Sequence, residues 1–167
     1  MADQGLEFEV EKLGRSSIPS PLIGGRFIGD DKRVLYHSEV GEMASFFERG
    51  ETPPSMELAG PREKIYFDPS KVKAGIVTCG GLCPGVNDVI RAIVLSLCHH
   101  YGGSRVFGFR YGFEGLSSKY GHSPLELTPQ MVEDIHQKGG TILGSSRGPQ
   151  DVSDMVDNLE RMNVGIL

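Results

Sequence analysis

From residue 64 onward, short apolar runs alternate with segments in which apolar residues recur at helical spacing. This alternation predicts an α/β fold with an open, mostly parallel sheet and helices on both of its faces. The run at 74–79 is apolar enough to be a strand buried on both faces. The predicted strands are 64–68, 74–79, 105–109 and 164–167, with 141–143 as a further short strand.

Three helices are predicted between these strands. The first has Asn87 as its N-cap and ends at Gly102-Gly103. The second begins at Thr128-Pro129, a capping residue followed by a proline in the first helical position, and closes at Gly139-Gly140. The third spans Asp151–Met162 and has apolar residues along one side.

Residues 1–63 have a different character. Half of the ten prolines lie there, and no long amphipathic pattern is present. We interpret this region as an extended N-terminal arm that precedes an incomplete α/β domain at 64–167. Aromatic residues of the kind usually buried, Phe27 and Tyr36 among them, argue against a disordered tail.

Composition and charge exclude several classes of function. The chain has 167 residues, a net charge of −5 and three cysteines. An acidic chain is a poor candidate for nucleic-acid binding, which depends on many lysines and arginines. No apolar stretch approaches the roughly 20 residues of a membrane span. The first residues do not resemble a signal peptide, and an odd number of cysteines then favours reduced thiols in a cytoplasmic protein.

The 23 glycines, about twice the usual share, concentrate in loops. The most informative loop, Gly80–Asn87, lies between a predicted buried strand and a helix N-terminus, where backbone N–H groups attract anions. It lacks the Lys-Ser/Thr of a P-loop, and no G-x-G-x-x-G is present in it. Its spacing leaves two interpretations open, a phosphate-binding loop or a purely structural glycine turn.

Two more loops lead to the same edge of the predicted sheet. Gly108–Leu116 carries aromatic residues that either stack on a base or pack in a tight turn. Gly139–Gly148 carries Arg147, whose guanidinium either binds a phosphoryl group through two hydrogen bonds or remains a solvated surface charge. Composition alone does not decide between these alternatives.

Three segments in this order and spacing resemble the N-terminal part of 6-phosphofructokinases: GIVTCGGLCPGVNDVIRAIV (Gly75–Val94), GFRYGFEGL (Gly108–Leu116) and GGTILGSSRG (Gly139–Gly148). With AGPREKIYFDP (Ala59–Pro69), the chain resembles the long-chain subgroup of plants, trypanosomatids and some bacteria. The resemblance implies a Rossmann-like, phosphofructokinase-type fold, in which residues 64–167 are the first part of a nucleotide-binding domain.

The resemblance implies phosphoryl transfer from ATP to the 1-hydroxyl of fructose 6-phosphate in glycolysis. A pyrophosphate-dependent enzyme and a non-catalytic phosphate-binding or assembly module remain open, and only the likeness to the subgroup favours ATP. A homo-oligomer is expected. The residues implied to bind the nucleotide are Gly80 and Gly81 at the transferring phosphoryl, Arg147 with Gly148 at the nucleotide phosphates, and Tyr111 or Phe113 near the adenine. Arg147 is also implied to offset the charge of the transition state.

Two departures from the family pattern limit what this chain is expected to do. Leu82 follows the glycine pair where common bacterial members have Asp, although the long-chain subgroup also has Leu. The family's Gly-Gly-Asp-Gly-Thr/Ser motif, which places Mg²⁺, and the motif with the catalytic Asp are expected after Leu167. We therefore expect an N-terminal piece of a longer enzyme, with no catalytic residue and no metal ligand of its own.

Other polar clusters have simpler interpretations. Cys79 and Cys83 form a single C-x-x-x-C pair, which is not a zinc site without a second pair. Cys98-His99-His100 lies at the C-terminal end of a predicted helix, where a protonated histidine interacts favourably with the helix dipole. Asp151 and Asp154 match the N-cap and the first-turn acid of the last helix, so a structural role is expected for both.

The 167 residues alone are expected to form no fructose 1,6-bisphosphate, because the family's base and Mg²⁺-placing motifs are expected beyond Leu167. A coupled assay on the purified chain with ATP, Mg²⁺ and fructose 6-phosphate measures this. Turnover above a protein-free blank would contradict the expectation.

Overall fold

The computed structural model describes residues 8–81, 83–102 and 105–167. Contacts within the chain define two compact units, one up to Tyr66 and one at Phe67–Leu167. This division falls three residues after the one drawn from composition. Leu82 and Gly103, both singled out from the sequence, lie outside the described residues.

The first unit contains only short elements. In chain order they are β1 (Ile18–Pro19), β2 (Arg33–Leu35), α1 (Val40–Glu48), β3 (Ser55–Glu57) and β4 (Lys64–Ile65). β1 pairs antiparallel with β4, and β2 pairs antiparallel with β3.

The predicted strand 64–68 is wrong in length and in place. Only Lys64–Ile65 is a strand, and it belongs to a two-stranded sheet of the first unit, not to the main sheet. Its partner strand contains Pro19, which has no N–H to donate and so restricts the ladder.

The second unit confirms the predicted α/β architecture with a mostly parallel sheet. Its strands and helices are β5 (Lys73–Val77), α2 (Val86–His99), β6 (Arg105–Phe109), β7 (Leu125–Leu127), α3 (Pro129–Val132), α4 (Val152–Arg161) and β8 (Val164–Ile166). The strand order is β7-β6-β5-β8. β5 is parallel to both of its neighbours, and β7 adds an antiparallel edge that the sequence did not reveal.

The main core lies between this sheet and α2. Ile76 and Val106 of the sheet form one buried cluster with Ile90 and Val94, which share a face of α2. Removing such side chains from water is the main source of stability in a domain of this size. The other members of the cluster are Leu127, Val132, Ile135 and Leu143.

Gly108 of β6 leaves the space that one of these side chains occupies. A Cβ at Gly108 would lie 2.5 Å from a methyl carbon of Leu143. Leu143 is itself buried, so it has little room to give way. The sheet therefore has a gap at Gly108 that admits a residue from the loop at 139–148.

Two predicted elements differ from the observed ones. Thr128 caps α3 as predicted, since its Oγ1 accepts a hydrogen bond from the N–H of Met131. The helix ends after one turn, however, because Asp134 leaves the helical region, and a 3₁₀ turn follows at Ile135–Gln137. The predicted strand at 141–143 is a turn instead, closed by a hydrogen bond from the N–H of Gly144 to the carbonyl of Thr141.

Asp154 links α4 to the segment that follows β6. Its carboxylate accepts hydrogen bonds from the hydroxyls of Ser117 and Ser118 and, at 3.0 Å, from the N–H of Ser118. These hydrogen bonds lower the pKa of Asp154, and the hydroxyls of Ser117 and Ser118 have the largest effect. Asp151 caps the same helix, as expected, by accepting from the N–H groups of Ser153 and Asp154.

Replacing Asp154 with Asn is expected to weaken the pH dependence of stability in acid. The folded-state pKa of Asp154 lies below its unfolded value of about 3.9, so the carboxylate stabilises the fold above that value. This contribution is lost as the pH falls through the folded-state pKa. Urea unfolding from pH 7 to pH 3 measures the effect, with Asp157→Asn on the same helix as control. Equal acid dependence in Asp154→Asn and the unchanged chain would contradict it.

Candidate functional site

The candidate residues lie at the carboxyl ends of the parallel strands. From β5 the chain passes through α2 to β6 on one side, and it later passes through α4 to β8 on the other side. Open α/β sheets bind ligands at such a reversal, outside the carboxyl ends of the strands. The loop that follows β5 therefore lies where a sheet of this kind binds its ligand.

Gly80 and Gly81 form the open side of a pocket at this edge. Gly80 has a φ of +99°, a backbone conformation that glycine adopts more readily than residues with a side chain. At both positions, no heavy atom of the described residues lies within 4 Å of where a Cβ would be. The backbone of the loop is thus open to approach. The pocket has a volume of about 200 Å³ and is lined by Val77, Thr78, Cys79, Gly80, Gly81, Val86, Thr141 and Ser145.

Hydroxyl groups join the loop after β5 to the loop at 139–148. Thr78 Oγ1 donates to the carbonyl oxygen of Gly144 at 2.7 Å and lies 3.0 Å from Thr141 Oγ1. Ser145 Oγ donates to the carbonyl oxygen of Gly80 at 3.0 Å. Sequence reasoning missed Thr78 and Ser145, although both stand at the ends of apolar segments in glycine-rich loops.

The prediction that Asn87 is the N-cap of α2 is wrong. The helix begins at Val86, and its N-cap is Gly85, with a φ of +93°. Asn87 is only 1% exposed, and its amide makes two hydrogen bonds of 2.8 Å: Nδ2 donates to the carbonyl of Lys138, and Oδ1 accepts from the N–H of Ile142. The side chain is therefore engaged with another loop and is not available for capping.

Tyr111 lies beside the same loop. Its φ of +66° is rare for a residue with a side chain. Its N–H donates to the carbonyl of Leu143 at 2.7 Å, and its Cδ1 approaches the Cβ position of Gly144 to 3.3 Å. At Gly112, a Cβ would lie 3.1 Å from the backbone nitrogen of Ser146. The two loops are therefore in close backbone contact, and the Tyr111 ring is exposed.

Phe113 follows in a 3₁₀ segment and is also exposed. Its backbone N–H hydrogen bonds to the thiol of Cys79 next to the glycine pair. Burial raises the pKa of the Cys79 thiol, and this hydrogen bond lowers it to a smaller extent. The loop after β6 thus reaches the loop after β5 through Phe113.

Arg147 and Gly148 stand just beyond Ser145 and are exposed. They do not line the pocket, and Gly148 has a φ of +114°. Arg147 forms no ion pair with a described residue, so its guanidinium is not neutralised within that part of the chain. The structure brings Gly80, Gly81 and the Tyr111 backbone together through the loop at 139–148, and it leaves Arg147 at the rim.

Two further findings concern the described residues only. Within residues 8–81, 83–102 and 105–167, no group of three or more His, Cys, Asp or Glu side chains is placed to hold a metal ion. In the same ranges, no helix is both long enough and apolar enough to cross a membrane.

The fold and the site define an α/β protein whose glycine-rich loop faces open space where the strand order of a mostly parallel sheet reverses. The family model for phosphofructokinase matches residues 73–167, and the chain belongs to that family.

Curated relatives include the long-chain forms expected from the sequence. An ATP-dependent 6-phosphofructokinase of Amycolatopsis methanolica is 50% identical over 169 residues, covering 96% of this chain and 37% of the relative. An ATP-dependent 6-phosphofructokinase of Trypanosoma cruzi is 56% identical over 116 residues, covering 70% of this chain and 24% of the relative. The chloroplastic ATP-dependent 6-phosphofructokinase 4 of Arabidopsis thaliana is 42% identical over 146 residues, covering 86% of this chain and 27% of the relative. The chain therefore spans between a quarter and two fifths of the length of these relatives.

Replacing Asn87 with Ala is expected to destabilise the second unit by about 1–3 kcal/mol, since the backbone groups of Lys138 and Ile142 lose the buried amide with which they pair. The loop at 139–148 should also become more susceptible to limited proteolysis. Urea denaturation and a protease time course measure the two effects. Gln130→Ala removes an exposed amide and serves as control, and equal stability of the two variants would contradict the role of Asn87.

Proposed function

We propose that this chain supplies the phosphoryl-donor side of an enzyme that transfers the γ-phosphoryl of ATP to the 1-hydroxyl of fructose 6-phosphate. The observation that carries the proposal is the open Gly80-Gly81 backbone at the end of β5. Membership of the phosphofructokinase family supports it, and so do the names of the curated relatives, which are ATP-dependent 6-phosphofructokinases.

In this proposal the glycine pair and Arg147 contact the phosphates. Backbone N–H groups of Gly80 and Gly81 donate to the phosphoryl that is transferred. Arg147, with Gly148, contacts the nucleotide phosphates and offsets the charge that develops in the transition state. Phosphoryl transfer depends mainly on positioning and on stabilising the charge of the transition state. An arginine that forms no ion pair among the residues the structure describes suits this role, because its charge is available to the ligand.

The aromatic side chains after β6 are proposed to lie near the base. Tyr111 is next to Gly144, and Phe113 is next to Cys79, so both contact the loops that supply the lining of the pocket. Their rings are exposed, which leaves their faces available for stacking on adenine.

Phosphoryl transfer from ATP generally requires Mg²⁺ to neutralise charge on the phosphates. Because the described residues hold no cluster of potential ligands, this chain's side chains do not fit a metal site of their own. We propose that the Mg²⁺ ligands come from other parts of the enzyme. Fructose 6-phosphate as acceptor, a homo-oligomeric assembly and a cytoplasmic location are further parts of the proposal.

In the complete enzyme, Arg147→Met is expected to lower kcat by about 10²-fold or more, because a donor to the developing phosphoryl charge is removed. A coupled spectrophotometric assay with ATP and fructose 6-phosphate measures it. Arg161→Met, which removes an exposed arginine from α4, is the matched control. Unchanged kcat in Arg147→Met would refute the role of Arg147. Activity of the unchanged enzyme with pyrophosphate but not with ATP would show that pyrophosphate is the phosphoryl donor.

A further inference from the structure

The peptide group between Gly80 and Gly81 accepts a hydrogen bond from a side chain of another loop. Ser145 Oγ donates to the carbonyl oxygen of Gly80 at 3.0 Å. Among the residues that the structure describes, no other donor reaches this carbonyl, and the N–H of Gly81 has no acceptor. The glycine pair is therefore tied to the loop at 139–148 through its carbonyl, while its second N–H stays available.

The planarity of this peptide group links the carbonyl to the N–H. The carbonyl of Gly80 and the N–H of Gly81 belong to one trans peptide unit, in which the two bonds point in opposite directions. A hydroxyl that fixes the direction of the carbonyl therefore fixes the direction of the N–H as well. Ser145 holds the carbonyl on its own side, so the N–H of Gly81 points away from Ser145.

Steric packing does not orient this peptide group. A flip of the group rotates the backbone of the residues on both sides of it, and two glycines accept either orientation at little steric cost. At Gly80 and Gly81, no heavy atom of the described residues outside their immediate chain neighbours lies within 4 Å of a Cβ position. The hydrogen bond from Ser145 is therefore the contact that selects one orientation.

The backbone that carries Ser145 is fixed from three sides. Each of the three residues before it makes a hydrogen bond of 2.7 or 2.8 Å with a residue near the end of a different element: Ile142 with Asn87 of α2, Leu143 with Tyr111 after β6, and Gly144 with Thr78 after β5. Ser145 is also half-buried in the lining of the pocket. Its hydroxyl is thus a fixed point against which the glycine pair is held.

We propose that Ser145 is a positioning residue for phosphoryl transfer, whose hydroxyl keeps the N–H of Gly81 directed at the phosphoryl that is transferred. This inference rests on the proposed function and adds to it the side chain that orients the backbone donor. A donor that already points at the developing charge stabilises the transition state without reorganising during the reaction. Loss of Ser145 Oγ leaves the donor in the chain and removes its fixed direction.

The test measures turnover with ATP and fructose 6-phosphate, and the dissociation constant of ADP, on the complete enzyme. Ser145→Ala is expected to lower kcat about tenfold, the effect of one hydrogen bond, and to leave ADP binding unchanged. ADP is the matched ligand because it lacks the phosphoryl that Gly81 contacts. Ser145→Thr keeps the hydroxyl and is expected to retain most of kcat. Ser153→Ala removes an exposed hydroxyl from α4 and is the control.

The comparison of kcat with ADP affinity decides the outcome. A merely structural link between the loops would weaken ADP binding together with kcat, so a parallel loss in Ser145→Ala overturns the proposal, as does an unchanged kcat. Thermal melting shows whether each variant is folded. If Ser145→Ala is not, Ser145→Cys provides the same comparison with the size kept and the hydroxyl replaced by a weak donor. Either failure leaves turnover of the unchanged enzyme with ATP intact, whereas absence of that turnover would refute the proposed function itself.

Discussion

The arrangement of the site depends on the buried amide of Asn87. Its two hydrogen bonds fix the start of α2 to Lys138 and Ile142, so the glycine pair that precedes the helix and the loop that carries Arg147 keep a constant separation. An amide suits this place because it offers a donor and an acceptor together without burying a charge. The hydroxyl contacts from Thr78 and Ser145 extend the same connection towards the pocket.

Close backbone approach is the second constraint, and it explains part of the glycine excess. At Gly112 a Cβ would approach the backbone nitrogen of Ser146 to 3.1 Å, and at both Gly112 and Gly80 the positive φ favours glycine. Asp154 adds a polar constraint from the opposite side, since it holds the segment after β6 through two serines. The loops at this edge are therefore positioned by backbone packing and by a few polar side chains.

The alternation of apolar runs was sufficient to predict the parallel sheet, because burial on both faces leaves a continuous apolar strand. The antiparallel β7 was missed, since a three-residue edge strand has too short a pattern. Asn87 was misread because Asn before an apolar helix is a common cap, yet it shares a helix face with Ile90 and Val94, which indicates burial.

The gap at Gly108 has a consequence for how this family tolerates change. Leu143 fills that gap from the loop that contains Arg147, so one side chain joins the hydrophobic interior to a loop of the candidate site. A side chain at position 108 would press on Leu143 and so displace that loop. A genetic screen for defective ligand binding should recover interior positions such as 108 together with positions that touch the ligand directly.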